Sequence, residues 1–193
     1  NHFETKSFNP FLPTGESWPC ILPTHLQEKI HVEIQRLMNL LNMKTGPLIF
    51  EVIVDYKENV YILDIGVRNS GDLTQVIEHV EGIDLIGYTI KASLAEDCSG
   101  LKMVEPSGYW ASYTIISEKD GLFKGIEIDK DFQKNYLVKY ISAVPSGYAI
   151  KTNDNLGIIW LNFPSMSEML EKMDKITNWV KINIEQETTE LEC

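Results

Sequence analysis

The sequence is poor in cysteine, in arginine and in long apolar runs. Its three cysteines, Cys20, Cys98 and Cys193, are an odd number, lie far apart and form no CxxC pair. A disulfide framework or a zinc site is therefore not expected, and this cysteine use fits a reducing, cytoplasmic compartment. No apolar run approaches the ~18–20 residues of a membrane span, and no secretory signal pattern is visible.

Positive charge is also scarce. Lysine and arginine number 17 against 28 acidic residues, which gives a net charge of -11, and only Arg36 and Arg68 are arginines. A nucleic-acid binder or a binder of anionic lipid would show a basic face, so neither nucleic acid nor a membrane is an expected partner. Because arginine is the usual bidentate partner of phosphates and carboxylates, both arginines are of interest.

Hydrophobic periodicity predicts an α+β fold. Residues 24–43 carry one apolar helical stripe behind a capping-box pattern at Thr24, and Arg36 falls off that stripe, which predicts a surface position. Two β-rich runs, 48–54 and 60–65, are joined by a polar stretch and predict a hairpin. The other predicted elements are helices at 72–80, 83–96 and after a capping box at Ser165, and strands at 109–117, 122–128, 136–144, 157–163 and 182–184.

Composition divides the chain into four parts. Residues 1–22 are rich in proline and aromatics, which predicts an irregular or extended connector arm with no element of its own. A change of pattern near 97–108 separates a first domain at 23–105 from a small antiparallel β-rich domain with one helix at 106–184. Residues 185–193 carry four glutamates and no base, and are expected to form a disordered tail.

The predicted hairpin carries one acid on each apolar strand, Glu51 and Asp64. Pairing of residue 51 with residue 64 would place both side chains side by side on one face. Adjacent carboxylates repel unless a proton or a cation lies between them, and a hard divalent ion with oxygen ligands is the natural solution. The alternative, that both are edge acids facing water, is left open by the residues themselves.

A glycine-rich turn follows the second strand, with the sequence Gly66-Val67-Arg68-Asn69-Ser70-Gly71-Asp72. Arg68 has the geometry to clamp a phosphate or a carboxylate, with a loop salt bridge as the alternative. The backbone amides of residues 70–72 lead into a predicted helix N-terminus, which favours anions.

The segment TGPLIFEVIVD…NVYILDIGVRNSGD resembles the closing part of the ATP-grasp fold. In that family, a Glu on one strand and a Glu-x-Asn on the next hold Mg²⁺ against the nucleotide phosphates, and a following Arg faces the transferred group. The resemblance implies Mg²⁺ (or Mn²⁺) as cofactor and ATP as substrate. It assigns Glu51 and Asp64 as metal ligands, Arg68 as the catalytic residue, and Asn69, Ser70, Gly71 and Asp72 as substrate contacts.

The resemblance covers most of the chain, is most specific over 46–97, and shows two departures from the family pattern. Gly66 stands at the family's Asn, which removes a neutral oxygen ligand, and Asp64 is one methylene shorter than the usual Glu. The family's upstream lobe, with its nucleotide-binding lysines and phosphate loop, has no counterpart in these 193 residues.

The resemblance therefore implies the C-terminal part of a ligase of the carbamoyl-phosphate-synthetase, biotin-carboxylase or amino-acid-ligase type. The expected partner is the missing N-terminal lobe, on the same full-length chain or on a separate subunit, with a homodimer as a further option. The reaction would pass through an acylphosphate. The overall sequence pattern of residues 48–97 favours the carbamoyl-phosphate-synthetase type. The chain alone is expected to lack turnover. The competing hypothesis is a degenerate, non-catalytic interaction or dimerisation module.

Overall fold

The computed structural model describes residues 2–4, 13–102 and 104–186. In chain order the helices and strands are β1 (His2–Glu4), β2 (Pro13–Trp18), α1 (Thr24–Leu40), β3 (Ile49–Val54), β4 (Val60–Gly66), α2 (Asp72–Glu81), α3 (Leu85–Ser93), β5 (Tyr109–Ile116), β6 (Gly121–Ile128), α4 (Lys130–Tyr136), β7 (Leu137–Ser142), β8 (Ala149–Ile150), β9 (Asn155–Phe163), α5 (Met166–Asp174) and β10 (Val180–Glu185). All strand pairs are antiparallel, and the α+β prediction is confirmed.

The chain divides into two compact units. The hairpin unit comprises residues 20–105, and the sheet unit combines residues 1–19 with residues 106–193. The boundary between Glu105 and Pro106 lies inside the range 97–108, where the sequence pattern changes. Within the described residues, no helix combines the length and the apolar character needed to cross a membrane. Cys20 and Cys98 are free thiols, and Cys193 lies outside the described residues.

The sheet unit is built on two antiparallel sheets, with strand orders β1-β2-β5-β9-β7 and β10-β6-β8. Side chains of β5 and β9 form an apolar core together with α5, and the middle of both strands is buried on both faces. The side chains that are almost completely buried there are Ala111, Ile115, Phe123, Ile159, Leu161, Phe163, Met169 and Met173. The Phe132 ring of α4 stacks on the Trp179 ring at a centroid distance of 5.3 Å and joins this core.

The expectation that residues 1–22 contain no element of their own is wrong for their described part. β1 pairs with β2, and β2 enters the five-stranded sheet beside β5, where Trp18 lies opposite Trp110. Proline is compatible with this strand because Pro13 is its first residue and Pro19 follows its last. Residues 5–12 of the predicted arm, and residues 187–193 of the predicted tail, lie outside the described residues.

The sequence predicts caps at the N-termini of α1 and α5, and the structure differs between the two. The capping box expected at Thr24 does not form, because Pro23 occupies the N-cap position and no side chain caps the helix. The Gln27 Nε2 group instead donates to the Leu22 carbonyl at 2.7 Å. At α5 the N-cap half of the predicted box forms, since the Ser165 hydroxyl accepts the Glu168 amide at 3.2 Å, while the Glu168 carboxylate accepts the Tyr136 hydroxyl.

Candidate functional site

The β3–β4 hairpin places Glu51 directly opposite Asp64. The register then shifts, so that Val52 pairs with Ile62 and Leu63 becomes the extra residue of a β-bulge. Directly opposite side chains of an antiparallel pair share a face, with Cβ atoms ~4.5–5.5 Å apart. The pairing on which the metal hypothesis depends is therefore present in the fold.

The hairpin face that carries the two acids is open. Glu51 and Asp64 are exposed, and the next pair on the same face, Ile53 and Tyr61, has 50% and 49% of its surface accessible. The opposite face, which carries Phe50 and Val52, is half-buried. Two carboxylates flanked by accessible apolar side chains form a surface suited to a ligand with a charged end and an apolar end.

Asp55 holds the turn that fixes the hairpin register. Its carboxylate accepts the Lys57 and Asn59 amides at 2.8 Å each and the Asn59 side-chain amide at 2.9 Å. These bonds, led by the Asn59 side chain, lower the pKa of Asp55 below its ordinary value. A carboxyl with a depressed pKa stabilises the folded hairpin above its unfolded pKa of about 4, and that contribution disappears as the pH falls through the folded pKa.

We expect Asp55→Ala to loosen the turn at neutral pH. Hydrogen-exchange protection of the Asn59 amide should fall by about tenfold, because a charge-assisted acceptor is lost. The difference from the wild type should begin to shrink below about pH 4 and should disappear as the pH falls through the lowered pKa of Asp55 in the folded hairpin. The control is Lys57→Ala, in the same turn, whose side chain makes no bond to the strands. If the difference in protection between Asp55→Ala and the wild type did not change with pH, ionisation of Asp55 would not be what stabilises the turn.

Arg68 follows the hairpin in an exposed loop. Its Nη1 group donates to the Asn69 carbonyl at 3.0 Å, and it forms no ion pair with any described residue. The alternative reading of Arg68 as half of a loop salt bridge therefore finds no support in the described part of the chain. The guanidinium keeps most of its donors for another partner.

Of the predicted substrate contacts after Arg68, Asn69 has a side chain that is already hydrogen-bonded, and residues 70–72 lie at the start of a helix. The Asn69 side-chain amide donates to the Thr89 hydroxyl of α3 at 3.0 Å, a partner that no sequence signal indicates. The Ser70 and Gly71 carbonyls accept the first amides of α2, at 3.1 and 3.2 Å. Asp72 begins α2, but its side chain lies outside the described part of the structure.

Gly71 is the N-cap residue of α2 and adopts φ 50°, ψ -121°. No side chain caps this helix. A left-handed φ favours glycine, and the backbone amides of the first helical turn have no partner inside the helix. Because the Leu73 and Thr74 amides are already taken by the Ser70 and Gly71 carbonyls, only the amides before Leu73 are candidates for an external ligand, and a helix N-terminus by itself defines no ligand.

Gly66 lies opposite Ile49, and this pair limits the number of side chains that could serve as metal ligands. A Cβ atom on Gly66 would lie only 2.6 Å from Ile49 Cγ2, so a side chain at position 66 requires Ile49 to move. Counting the register back from Glu51 and Asp64 would have revealed this pair. No cluster of three or more His, Cys, Asp or Glu side chains suited to a metal occurs among the described residues. Two carboxylates, Glu51 and Asp64, are available as ligands. This number suits Mg²⁺, whose remaining coordination positions are filled by phosphate oxygens and water.

Comparison with known proteins gives matches among solved structures alone. Neither a protein-family model nor a curated protein matches the chain. An L-amino acid ligase from Bacillus licheniformis matches with a TM-score of 0.81 at 17% identity, over 96% of this chain and 47% of that one. A phosphoribosylglycinamide synthetase from Anaerococcus prevotii gives 0.72 at 19% identity, over 96% and 48%. The biotin carboxylase domain of Hydrogenobacter thermophilus 2-oxoglutarate carboxylase, solved with MgADP and bicarbonate, gives 0.67 at 16% identity, over 92% and 41%.

These three proteins are ATP-grasp enzymes. The chain shares their fold. At these identities the likeness concerns the fold alone, and it confirms at that level the resemblance seen in the sequence. The chain spans less than half the length of each of these proteins.

Proposed function

We propose that this chain is the C-terminal part of an ATP-grasp ligase and supplies contacts to the phosphate side of Mg-ATP and to an acylphosphate. The observation that carries the proposal is the placement of Glu51 opposite Asp64 on an open hairpin face, with Arg68 beyond the strand end. The ATP-grasp type of fold supports it. The reaction is carboxylate–amine ligation or a carbamoyl-phosphate-synthetase-like step.

In this proposal Glu51 and Asp64 supply oxygen ligands for Mg²⁺ or Mn²⁺. When bound, the metal neutralises negative charge on the nucleotide phosphates, which is a main contribution to phosphoryl transfer. Arg68 orients the transferred group or the acylphosphate through its guanidinium donors. Positioning and charge stabilisation by these three side chains are the chemistry that this part of the ligase contributes.

The proposed substrate contacts are the amides at the start of α2, contributed by Ser70, Gly71 and Asp72. The Asn69 side chain has a different part in this scheme, because its amide is held by Thr89. It ties the loop between β4 and α2 to α3 and so fixes the position of the neighbouring Arg68. The expected partner remains an N-terminal ATP-grasp lobe, on a longer chain or on a separate subunit, or a second copy of the chain.

A degenerate, non-catalytic interaction module is the second candidate. It is favoured by Gly66, which supplies no side-chain oxygen ligand; a Cβ atom at this position would lie 2.6 Å from Ile49 Cγ2, so a side chain here would require Ile49 to move. A site with two carboxylates depends on phosphate oxygens for the rest of its coordination, and a degenerate site would bind no metal even in the presence of nucleotide.

The test is binding of Mn²⁺ to the chain in the presence of ATP, followed by electron paramagnetic resonance and calorimetry. We expect Glu51→Gln/Asp64→Asn to weaken Mn²⁺ binding by about a hundredfold, because both ligands become neutral. Glu28→Gln/Glu96→Gln removes the same charge from exposed positions elsewhere in the hairpin unit and should change binding less than twofold. Arg68→Gln should weaken ATP binding while leaving binding of Mn²⁺ alone unchanged.

Two outcomes separate the candidates. Unchanged Mn²⁺ binding in the doubly neutralised variant would refute the metal assignment. Absence of Mn²⁺ binding to the wild type with ATP present would favour the non-catalytic module. In either case the chain by itself is expected to show no ligase or ATPase turnover.

A further inference from the structure

A cleft in the sheet unit lies between α4 and β7 and has a volume of about 530 Å³. Three of its lining residues are lysines and none is acidic. The residues that line it are Lys130, Gln133, Lys134, Leu137, Val138, Lys139 and Tyr140. In a chain with a net charge of -11, this is a local concentration of positive charge.

Among the residues that the structure describes, no carboxylate pairs with the three lysines of this cleft. Lys130, Lys134 and Lys139 form no ion pair or hydrogen bond with any described residue. Of the acids nearest in sequence, Asp129 uses its carboxylate to cap α4, accepting the amides of Asp131 and Phe132 at 3.0 and 2.9 Å. Asp131 lies on the same helix but does not line the cleft. The ammonium charges are therefore left for another anion.

One of these charges is held in place by an aromatic ring. Lys139 Nζ lies 4.6 Å from the centroid of the Trp160 ring on the neighbouring strand β9. Trp160 is almost completely buried, so the ring itself is fixed. A cation over an aromatic face loses side-chain freedom before any ligand arrives, which lowers the entropy cost of binding.

A β-bulge shapes the strand side of the cleft. Leu137 pairs with Leu161 and Lys139 with Trp160, so Val138 is an extra residue in β7. Bulges re-aim side chains, and here residues 137–140 all line the cleft. The result is a wall of Leu137, Val138 and Tyr140 beside the lysines, which combines apolar contact with positive charge.

We propose that this α4–β7 lysine cleft binds a small organic molecule that carries two or more phosphate groups. Three ammonium groups match a multiply charged anion, and lysine is a common point-charge partner of phosphate. The cleft is open to solvent, so the ammonium charges rather than enclosure would hold the ligand. Three lysines on an acidic protein do not form the extended basic face of a nucleic-acid binder. A second copy joined through β7 would bring like charges together.

The test is an NMR titration of the ¹⁵N-labelled chain at constant ionic strength, with ADP, inorganic pyrophosphate and citrate as probes. We expect saturable shifts of the amides in residues 130–140 with ADP, and weaker ones with pyrophosphate and citrate, which carry the charge but offer no ring to the apolar wall of the cleft. Shifts in residues 51–72 would report the proposed nucleotide site of the hairpin unit instead, so the two sites are read separately. The cleft proposal is independent of the ligase proposal.

Lys134→Gln/Lys139→Gln should weaken ADP binding at the cleft by roughly tenfold for each lysine. Lys119→Gln/Lys181→Gln, which removes the same charge from exposed positions of the sheet unit, should change it less than twofold. Lys139→Arg keeps the charge and should retain most of the affinity, which excludes a folding defect as the cause. Saturable shifts from ADP outside residues 130–140 alone, equal binding in both double variants, or citrate binding as tight as ADP would each overturn the proposal.

Discussion

Gly157→Ala is expected to destabilise the sheet unit by roughly 3–5 kcal/mol, which approaches the whole stability of many domains. Gly157 lies in β9 with φ +155°, a conformation that side-chain-bearing residues rarely adopt. A Cβ atom there would lie 2.7 Å from the Ile141 carbonyl oxygen and 2.9 Å from Tyr140 Cε2. Because the 2.7 Å contact is with a backbone atom, the collision can be relieved only if β7 moves away from β9.

The matched control is Gly125→Ala in β6 of the same unit. Gly125 has φ +143°, and a Cβ atom there would have no heavy atom within 4 Å. This substitution therefore carries the backbone strain, of order 1–3 kcal/mol, without the collision. Urea unfolding followed by tryptophan fluorescence measures both. Equal losses for the two variants would show that the contact with Ile141 is not the cause.

Ile159→Ala should cost the sheet unit about 4 kcal/mol. Ile159 lies in β9, has 0% of its surface exposed and belongs to the core. Truncation to alanine loses the transfer free energy of three carbon atoms and leaves a cavity, and such changes cost ~2–5 kcal/mol. The midpoint of urea unfolding should fall accordingly, with little change in the slope.

Ile141→Ala is the control for this substitution. Ile141 lies on the adjacent strand β7 and has 40% of its surface exposed. The same atoms are removed, but less burial is lost and no closed cavity forms, so we expect a loss of about 1 kcal/mol. If Ile141→Ala lowered the free energy of unfolding as much as Ile159→Ala, β7 would have to be covered by another molecule in solution.

The hairpin was predictable because its two strands and its turn are local, whereas the pairing of its two acids also depends on a β-bulge. Counting back along both strands from the turn at residues 55–59 pairs residue 52 with residue 62 and would pair residue 51 with residue 63. The β-bulge at Leu63 shifts the register and brings Asp64 opposite Glu51. The apolar stripe of α1 follows from helical periodicity in the same way, and Arg36 lies exposed off that stripe, with its Nε 3.0 Å from the Glu33 carboxylate.

Other features were not predictable from local patterns. β2 is recognisable only through its pairing with β5, a partner far along the chain, and its prolines favour an irregular arm. α4 has seven residues with Phe132 as the buried one, too few for a periodic signal. The bond between Asn69 and Thr89 joins two elements and appears only once both are folded.

The route of the chain between β2 and β5 has a consequence for folding. These neighbouring strands pair Trp18 with Trp110, so the pair closes a loop of ~90 residues, whose entropic cost rises with the logarithm of its length. If residues 20–105 collapse first, the effective loop is shorter, and the late step becomes the joining of two strand ends already brought near each other. High contact order of this kind slows folding, and in a nascent chain the β5-facing edge of β2 must stay unpaired until β5 has been synthesised.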